Sequence, residues 1–291
     1  MKKLISLILA LCLALGSLGV CLAEEQPTQD GVTKYGLLGR LSKLNVEEST
    51  LNEALKEFWK DAMFTGVKFY DSLSSMLMAL LNGDIGFIYT DEHTARYIAA
   101  RNEKMVARRY PDFEYTLSFA LLLRDTDREL CDQLSQVIRE MKEDGTVEEL
   151  RRRYMDSCAE IIEPEAVYPK TFDDARTIRV AVTGDRPPMD YISGSGFPVG
   201  FNTALMAEAA SRLGINLRFV SVDSAARSLA LSSGDADVVF WMEEGNFNDW
   251  ENATGEDMPE GTVATEPYMQ CRDSYLVLRS SPPADRLLPS V

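Results

Sequence analysis

The chain has 291 residues, enough for one large two-lobed domain or two small ones. A formal charge of −16 argues against nucleic acid and anionic membrane surfaces as partners. His93 is the single histidine and the cysteine spacings match no zinc pattern, which argues against a His-based metal site or a Ser-His-Asp triad; no cofactor is expected.

Residues 1–23 read as an export signal. Lys2 and Lys3 precede an apolar run from Leu4 to Leu15, and the small Ala23 stands before Glu24-Glu25. The run is too short for a spanning helix. Two processing routes remain open. Cleavage after Ala23 releases a soluble extracytoplasmic protein, the route that the large Val20 favours. Alternatively, Leu18-Gly19-Val20-Cys21 resembles a bacterial lipobox, and Cys21 would then carry a lipid anchor. Losing the signal removes two lysines and no acid, taking the charge from −16 to −18. Cys131, Cys158 and Cys271 then remain if Cys21 goes, an odd count that forbids a full disulfide framework. One Cys131–Cys158 bridge and free buried thiols both fit.

From Lys34 the texture is globular. KYGLLGRLS reads as a strand and Gly turn, and VEESTLNEALKEFWKDA has helical spacing through Leu51, Leu55, Phe58 and Trp59. VKFYDS is a strand running into an Asp-Ser helix start. SLSSMLMALLNG is an apolar helix with an Asn-Gly stop. DIGFIYTD is a strand ending at Asp91, EHTARYIAARN a helix and FEYTLSFALLLR a long strand. DRELCDQLSQVIREMKEDG is an amphipathic helix stopped by Gly145, and TVEELRRRYMD a short one. Residues 158–175, with two prolines and no period, read as a linker. The alternation then resumes: RTIRVAVTG (strand), NTALMAEAASRLG (helix), INLRFVSV (strand), SAARSLALSSG (helix) and DADVVFWM (strand). An acidic loop follows, then the strand SYLVLR and a tail, 280–291. Alternation with short connections predicts parallel sheets covered by helices, an α/β fold.

Four stretches, RVAVTGDRPPMDY, GFNTALMAEAASRLG, SLALSSGDADVV and TEPYMQCRDSYLVL, resemble the first lobe of extracytoplasmic solute-binding proteins of the polar amino-acid ABC importer type (family 3). VKFYDSLSSMLMALLNGDIGFIYTD is similar to that family's second lobe. SFALLLRDTDRELCDQLSQVIREMKEDGTVEELRRRYM is similar to its closing segment. The resemblance implies a two-lobed clamshell, each lobe a sheet flanked by helices, joined by hinge strands near Leu117–Leu122 and Ser274–Leu278. It also implies an unusual order: second lobe 34–118, closing helices 119–157, linker 158–175, first lobe 176–279. That order is a circular permutation, which is tolerated where native termini lie close together. The rival is a pair of incomplete modules in tandem.

Ligands of open α/β sheets sit beyond the carboxyl ends of strands. This places candidate ligand contacts at Asp185, Met189 and Tyr191 after the first strand of the second half. Phe240, Trp241 and Met242 end its third strand, and Tyr268 follows the acidic loop. On the other side stand Ser42, Thr90 and Asp91. Each also has a plain structural reading: turn cap for Asp185, packing for the apolar and aromatic residues, helix cap for Asp91, and a surface helix position for His93. Three bulky residues in a row cannot all face one way on a strand, so one of Phe240, Trp241 and Met242 should reach the cleft. The resemblance implies that Asp91, eight residues after Gly83, pairs with a ligand ammonium.

Three departures stand out. The family's amino-acid binders carry an arginine after the third strand, yet nothing from Val238 to Cys271 is basic. Ala204 and Gly86 stand where aspartates are usual. The loop is acidic instead, with Glu243, Glu244, Asp249, Glu251, Glu256, Asp257, Glu260 and Glu266. Arg40 or Arg272 would have to supply a carboxylate partner, and a cationic or aromatic ligand suits Trp241, Tyr191 and the acidic loop. The function expected is extracytoplasmic capture of a small polar solute for an ABC permease, without enzyme activity. A sensor or degenerate paralogue, or a cyclohexadienyl-dehydratase-like enzyme on the same scaffold, are the alternatives.

Overall fold

The computed structural model describes residues 33–39, 48–49, 52–53, 64–109, 115–157, 165–246 and 258–281. The signal, Cys21, Arg40, Ser42, Cys158, the tail beyond Ser281 and the middle of the acidic loop lie outside the described residues, as does most of the helical stretch through Trp59.

In chain order, strands β1 (Thr33–Leu38) and β2 (Phe64–Tyr70) precede helix α1 (Leu73–Asn82), β3 (Phe87–Asp91), α2 (Glu92–Arg101), β4 (Met105–Arg108) and β5 (Tyr115–Arg124). Helices α3 (Arg128–Glu143) and α4 (Thr146–Arg151) follow, the latter running into a π-helical turn, Arg152–Asp156. The second half contains β6 (Thr177–Val182), the hairpin β7 (Tyr191–Ile192) and β8 (Pro198–Val199), α5 (Phe201–Leu213), β9 (Asn216–Ser221) and α6 (Arg227–Ser232). Strands β10 (Val238–Asn246), β11 (Thr262–Ala264) and β12 (Met269–Leu278) complete it.

Local chemistry sets these boundaries. The Ser72 side chain accepts a hydrogen bond from the Ser75 amide at 3.2 Å and starts α1. Leu73, Met76, Ala79 and Leu80 are its buried face, and Gly83 ends it at φ 80°. In α3 the buried Leu130, Leu134, Val137, Ile138 and Met141 recur at helical spacing.

The strands form one curled, mixed sheet with two similar parts. In the first half the order is β2-β1-β3-β12, with β4 on the far side of β12. In the second it is β9-β6-β10-β5, with β11 on the far side of β5. Within each part the first three strands are parallel and the fourth is antiparallel. That fourth strand comes from the other half of the chain. Strand β12 joins the parts: Met269–Arg272 pair with β5, and Asp273–Leu278 pair with β3 and β4.

The second-half sheet is buried on both faces. Along β5, Leu117, Phe119, Leu121 and Leu123 face a cluster with the apolar face of α3, while Ala120 and Leu122 face another with Ala230, Leu231 and Trp241. Helices α3 and α4 therefore share a core with Ile178, Val180, Phe201 and Leu205 of the second half. A separate cluster joins α1 and Ile98 of α2 to Ile88, Met105 and Leu276.

Some elements differ from the sequence expectation. The strand read over DADVVFWM continues to Asn246, because Val239–Asn246 pair with Leu122–Tyr115. Cross-strand pairing overrides the weak strand preference of Glu-Glu-Gly-Asn. The last strand begins at Met269 rather than Ser274, and the short β4 and β11 had no sequence signal. Cys131 is buried and free of any disulfide. His93 is half-buried rather than a surface residue, and burial lowers its pKa against the opposing pull of Asp91 and Glu92.

A charged clamp ties β5 to β6. Asp237 accepts from Arg179 through Nε at 3.0 Å, Nη2 at 2.9 Å and the backbone amide at 2.9 Å, and from Arg124 Nη2 at 2.9 Å. Burial pushes the Asp237 carboxyl up, but the Arg179 bonds and then Arg124 outweigh it and hold it at about 2. A depressed carboxyl stabilises the fold above its unfolded pKa, about 3.9, and loses that contribution as pH falls through its folded value. Asp237 is therefore expected to contribute about 2 kcal/mol at neutral pH that disappears between about pH 4 and pH 2. Urea titrations across this range should show a flatter pH dependence for Asp237→Asn than for the parent. Separately, Ile138→Ala should cost about 2–5 kcal/mol by chemical denaturation, since Ile138 is fully buried where α3 meets the second-half sheet.

Candidate functional site

Asp91, at the carboxyl end of β3, and Arg186, in the loop after β6, come within 3.5 Å of each other. Beside Arg186 lies a small cavity, and its polar lining is Thr183, Arg186, Asp190, Asn202 and Arg227. Phe119, Phe240 and Trp241 form its aromatic wall.

The loop after β6 builds one side. The Met189 and Asp190 amides donate to the Arg186 carbonyl at 2.7 and 3.0 Å, folding the loop back on itself. Gly200 lets the start of α5 approach this turn. It sits at φ 110°, and a Cβ there would stand 2.4 Å from the Met189 carbonyl oxygen. The Phe201 and Asn202 amides then donate to the Pro188 and Met189 carbonyls at 3.1 and 2.8 Å. This brings Asn202 Nδ2 within 3.3 Å of Asp190 Oδ1. Asp190 Oδ2 accepts from the Thr183 amide at 3.1 Å and its hydroxyl at 3.0 Å. Burial raises the Asp190 carboxyl, with Thr183 and Arg227 acting in opposition.

Arg227 supplies the floor. It is 8% exposed, and its donors reach three backbone carbonyls: Nε to Ser224 at 3.0 Å, Nη1 to Phe240 at 3.0 Å and Nη2 to Gly39 at 3.1 Å. Burial and then the neighbouring Arg186 bring its pKa down to about 10, against the pull of Asp190 and Asp185, so it stays cationic at neutral pH.

Around this site, polar contacts join the first half to the second. Arg227 reaches Gly39. Asp185 Oδ1 accepts the Leu73 amide at the start of α1 at 2.9 Å, while its Oδ2 accepts from Ser224 Oγ at 2.7 Å. A carboxylate is well placed at a helix N-terminus. Arg186 Nη1 lies 3.5 Å from Asp91 Oδ2. Tyr97 of α2 also packs edge-on against Tyr191, with centroids 5.6 Å apart.

The candidate residues separate into groups. Asp91 is fully buried, caps α2 through the Thr94 amide at 2.8 Å and faces Arg186; the Thr90 hydroxyl lies 3.4 Å from it. Asp185 bridges the halves. Phe240 and Trp241 line the cavity although they alternate in direction along β10, Phe240 joining one core cluster and Trp241 the other. Met242 pairs with Phe119 in the ladder. Met189 is fully buried in the core, and Tyr191 packs on Tyr97. Tyr268 stands behind the site, its hydroxyl donating to Asn202 Oδ1 at 3.0 Å. Ser42 lies outside the described residues.

Sequence reasoning missed Arg186, Asp190, Asn202 and Arg227. The last had a readable signal: Arg227 lies three and four residues before the buried Ala230 and Leu231, on the apolar face of its helix. Arg272, considered earlier as a carboxylate partner, is not among the residues lining this cavity. Among the described residues no His, Cys, Asp and Glu group suits a metal ion, and no helix is long and apolar enough to cross a membrane.

Residues 178–242 match the bacterial extracellular solute-binding proteins, family 3. The matched stretch runs from β6 into β10 and includes the loop of Asp185 and Arg186 and the helix of Arg227. No curated protein matches the chain. A glycine-to-alanine mutant of the arginine-bound ArgBP from T. maritima is similar at 15% identity, over 89% of this chain and 92% of that one, with a TM-score of 0.41. The PBP AgaA from A. tumefaciens R10, in complex with agropinic acid, is similar at 12% identity over 74% and 56% of the two chains, with a TM-score of 0.42. The alkanesulfonate-binding protein SsuA from Xanthomonas axonopodis pv. citri, bound to MOPS, is similar at 10% identity over 86% and 66%, with a TM-score of 0.38.

Gly200 sets the geometry of this site. Gly200→Ala is expected to cost about 3 kcal/mol or more, because both the positive φ and the carbonyl contact must be relieved. Thermal unfolding reads this directly; a midpoint equal to the parent's would show that the α5 start relaxes freely.

Proposed function

We propose that the protein is an extracytoplasmic binding protein that captures a small polar solute between its halves and delivers it to an ABC permease. The observation that carries this reading is the cavity lined by Arg186, Asp190 and Arg227, with Asp91 of the first half 3.5 Å from Arg186. Charged groups that converge on a cavity with aromatic walls suit capture of a polar solute. The family match over residues 178–242 supports the same class.

The chain order is part of the proposal. Helices α3 and α4 share their core with the second half, and each half receives its fourth strand from the other. Both features support a circular permutant, in which 34–118 forms one lobe, while 119–157 and 176–279 form the other. Residues 158–175 then link a former carboxyl end to a former amino end. Met269–Leu278 and Tyr115–Arg124 would serve as the hinge strands.

A thermal-shift screen with amino acids, amines and peptides tests capture. A true solute at 100 times its dissociation constant adds about 2.7 kcal/mol of stability. Asp91 provides the sharper measurement. Asparagine caps a helix as well as aspartate does, so Asp91→Asn keeps the start of α2 while removing the charge that faces Arg186. It removes a desolvated charge from the seam, so the affinity for a solute that carries an ammonium group should fall by about 2–4 kcal/mol. Calorimetric titration decides: unaltered affinity would leave Asp91 as a helix cap alone.

A further inference from the structure

We propose that Arg186 is a latch: it occupies the Asp91 carboxylate, screens it from the cavity and holds the two halves together in the absence of a solute. The inference rests on the reading of the protein as a capture protein and adds an autoinhibitory contact to it.

Position carries it. Arg186 is at once part of the cavity lining and the partner of Asp91. The residues that line the cavity all come from β5 or from the chain after it, and Asp91 is not one of them. Arg186 therefore stands between the cavity and the carboxylate of the first half. Its side chain is 13% exposed, and that of Asp91 is fully buried. Asp91 Oδ1 accepts the Thr94 amide at 2.8 Å, while Oδ2 has the Thr90 hydroxyl at 3.4 Å and Arg186 Nη1 at 3.5 Å. A buried carboxylate needs a counter-charge, and here the other half of the same chain supplies it.

The loop holds Arg186 in place to do this. Its amide donates to the Asp190 carbonyl at 3.3 Å, and its carbonyl accepts the Met189 and Asp190 amides. The backbone is thus fixed in the second half while the side chain reaches the first. The neighbouring contacts need the same approach of the halves: the Leu73 amide on Asp185, the Gly39 carbonyl on Arg227 and Tyr97 on Tyr191.

The strength suits a latch rather than a permanent bond. Within the second half, two arginines hold Asp237 at 2.9 and 3.0 Å. Asp91 and Arg186 meet at 3.5 Å, longer than a strong charge-assisted bond. A contact of that kind biases an equilibrium between joined and parted halves without fixing it.

The test reads hydrogen exchange of the Leu73 amide in the full chain without solute. That amide is bonded across the halves, to Asp185. The Met76 amide, bonded to the Ser72 carbonyl within the first half, reports fraying of α1 by itself. In the parent, Leu73 should be protected. Arg186→Gln and Asp91→Asn should each speed its exchange about 10- to 100-fold, as loss of a charged hydrogen bond would, and leave Met76 unchanged. Either variant suffices if the other fails to fold. The double variant should exchange no faster than the faster single one, because both substitutions remove one shared contact. A Leu73 amide unprotected in the solute-free parent overturns the inference, as do single variants with unchanged exchange or effects that multiply in the double variant. The two readings also fail separately. Leu73 protection that appears only when a solute from the thermal-shift screen is added leaves capture standing and removes the latch. A latch seen by exchange, with no solute found in that screen, supports this inference and counts against capture.

Discussion

The structure depends on an exchange of strands. Strand β5 inserts between β10 and β12, and β12 continues past β5 to insert between β3 and β4. Each half of the sheet has a free edge at that position, and an unpaired edge leaves backbone donors and acceptors without partners. Exchange satisfies both edges and forces the halves together along one seam. Asp91 at the end of β3 thereby comes within 3.5 Å of Arg186 in the loop after β6.

Charge is concentrated at this seam at a cost. Burying ionised groups is unfavourable unless each finds hydrogen bonds. The seam meets that condition mostly through the backbone: Asp185 takes a helix amide, Arg227 takes three carbonyls, and Asp190 takes an amide and a hydroxyl. Backbone partners are fixed by the fold, so these groups are held without pairing off against one another. Arg186 and Asp91, at 3.5 Å, form the looser contact.

The Asp237 clamp shows the contrasting use of charge. There Arg124 and Arg179 close on one carboxylate at 2.9 Å, and the group is stabilised as an anion. Asp237 joins β5 to the start of β6 and the turn before β10, at the end of the sheet away from the cavity. The clamp consumes its charges in pairing, whereas Arg227 beside the cavity is held by backbone carbonyls.

The α/β alternation, the helix stops at Gly83 and Gly145, and the apolar face of α3 were legible in the sequence. Each follows from a local rule of periodicity or backbone freedom, and such rules act within a few residues of the chain. Asp91 was legible too, as a strand end followed by a helix start. The short β4 and β11, the extension of β10 to Asn246 and the early start of β12 were not, because their stability comes from partners 100 or more residues away or from edges too short to show a period. Nor could local pattern reveal that Arg186, Asp190, Asn202 and Arg227, spread over a turn and two helices, would line one cavity. The amino-acid sequence determined which segments form helices and strands and which faces are apolar. Tertiary structure alone decided which charges meet, since desolvation and hydrogen bonding at the seam exist only once the two halves have exchanged strands.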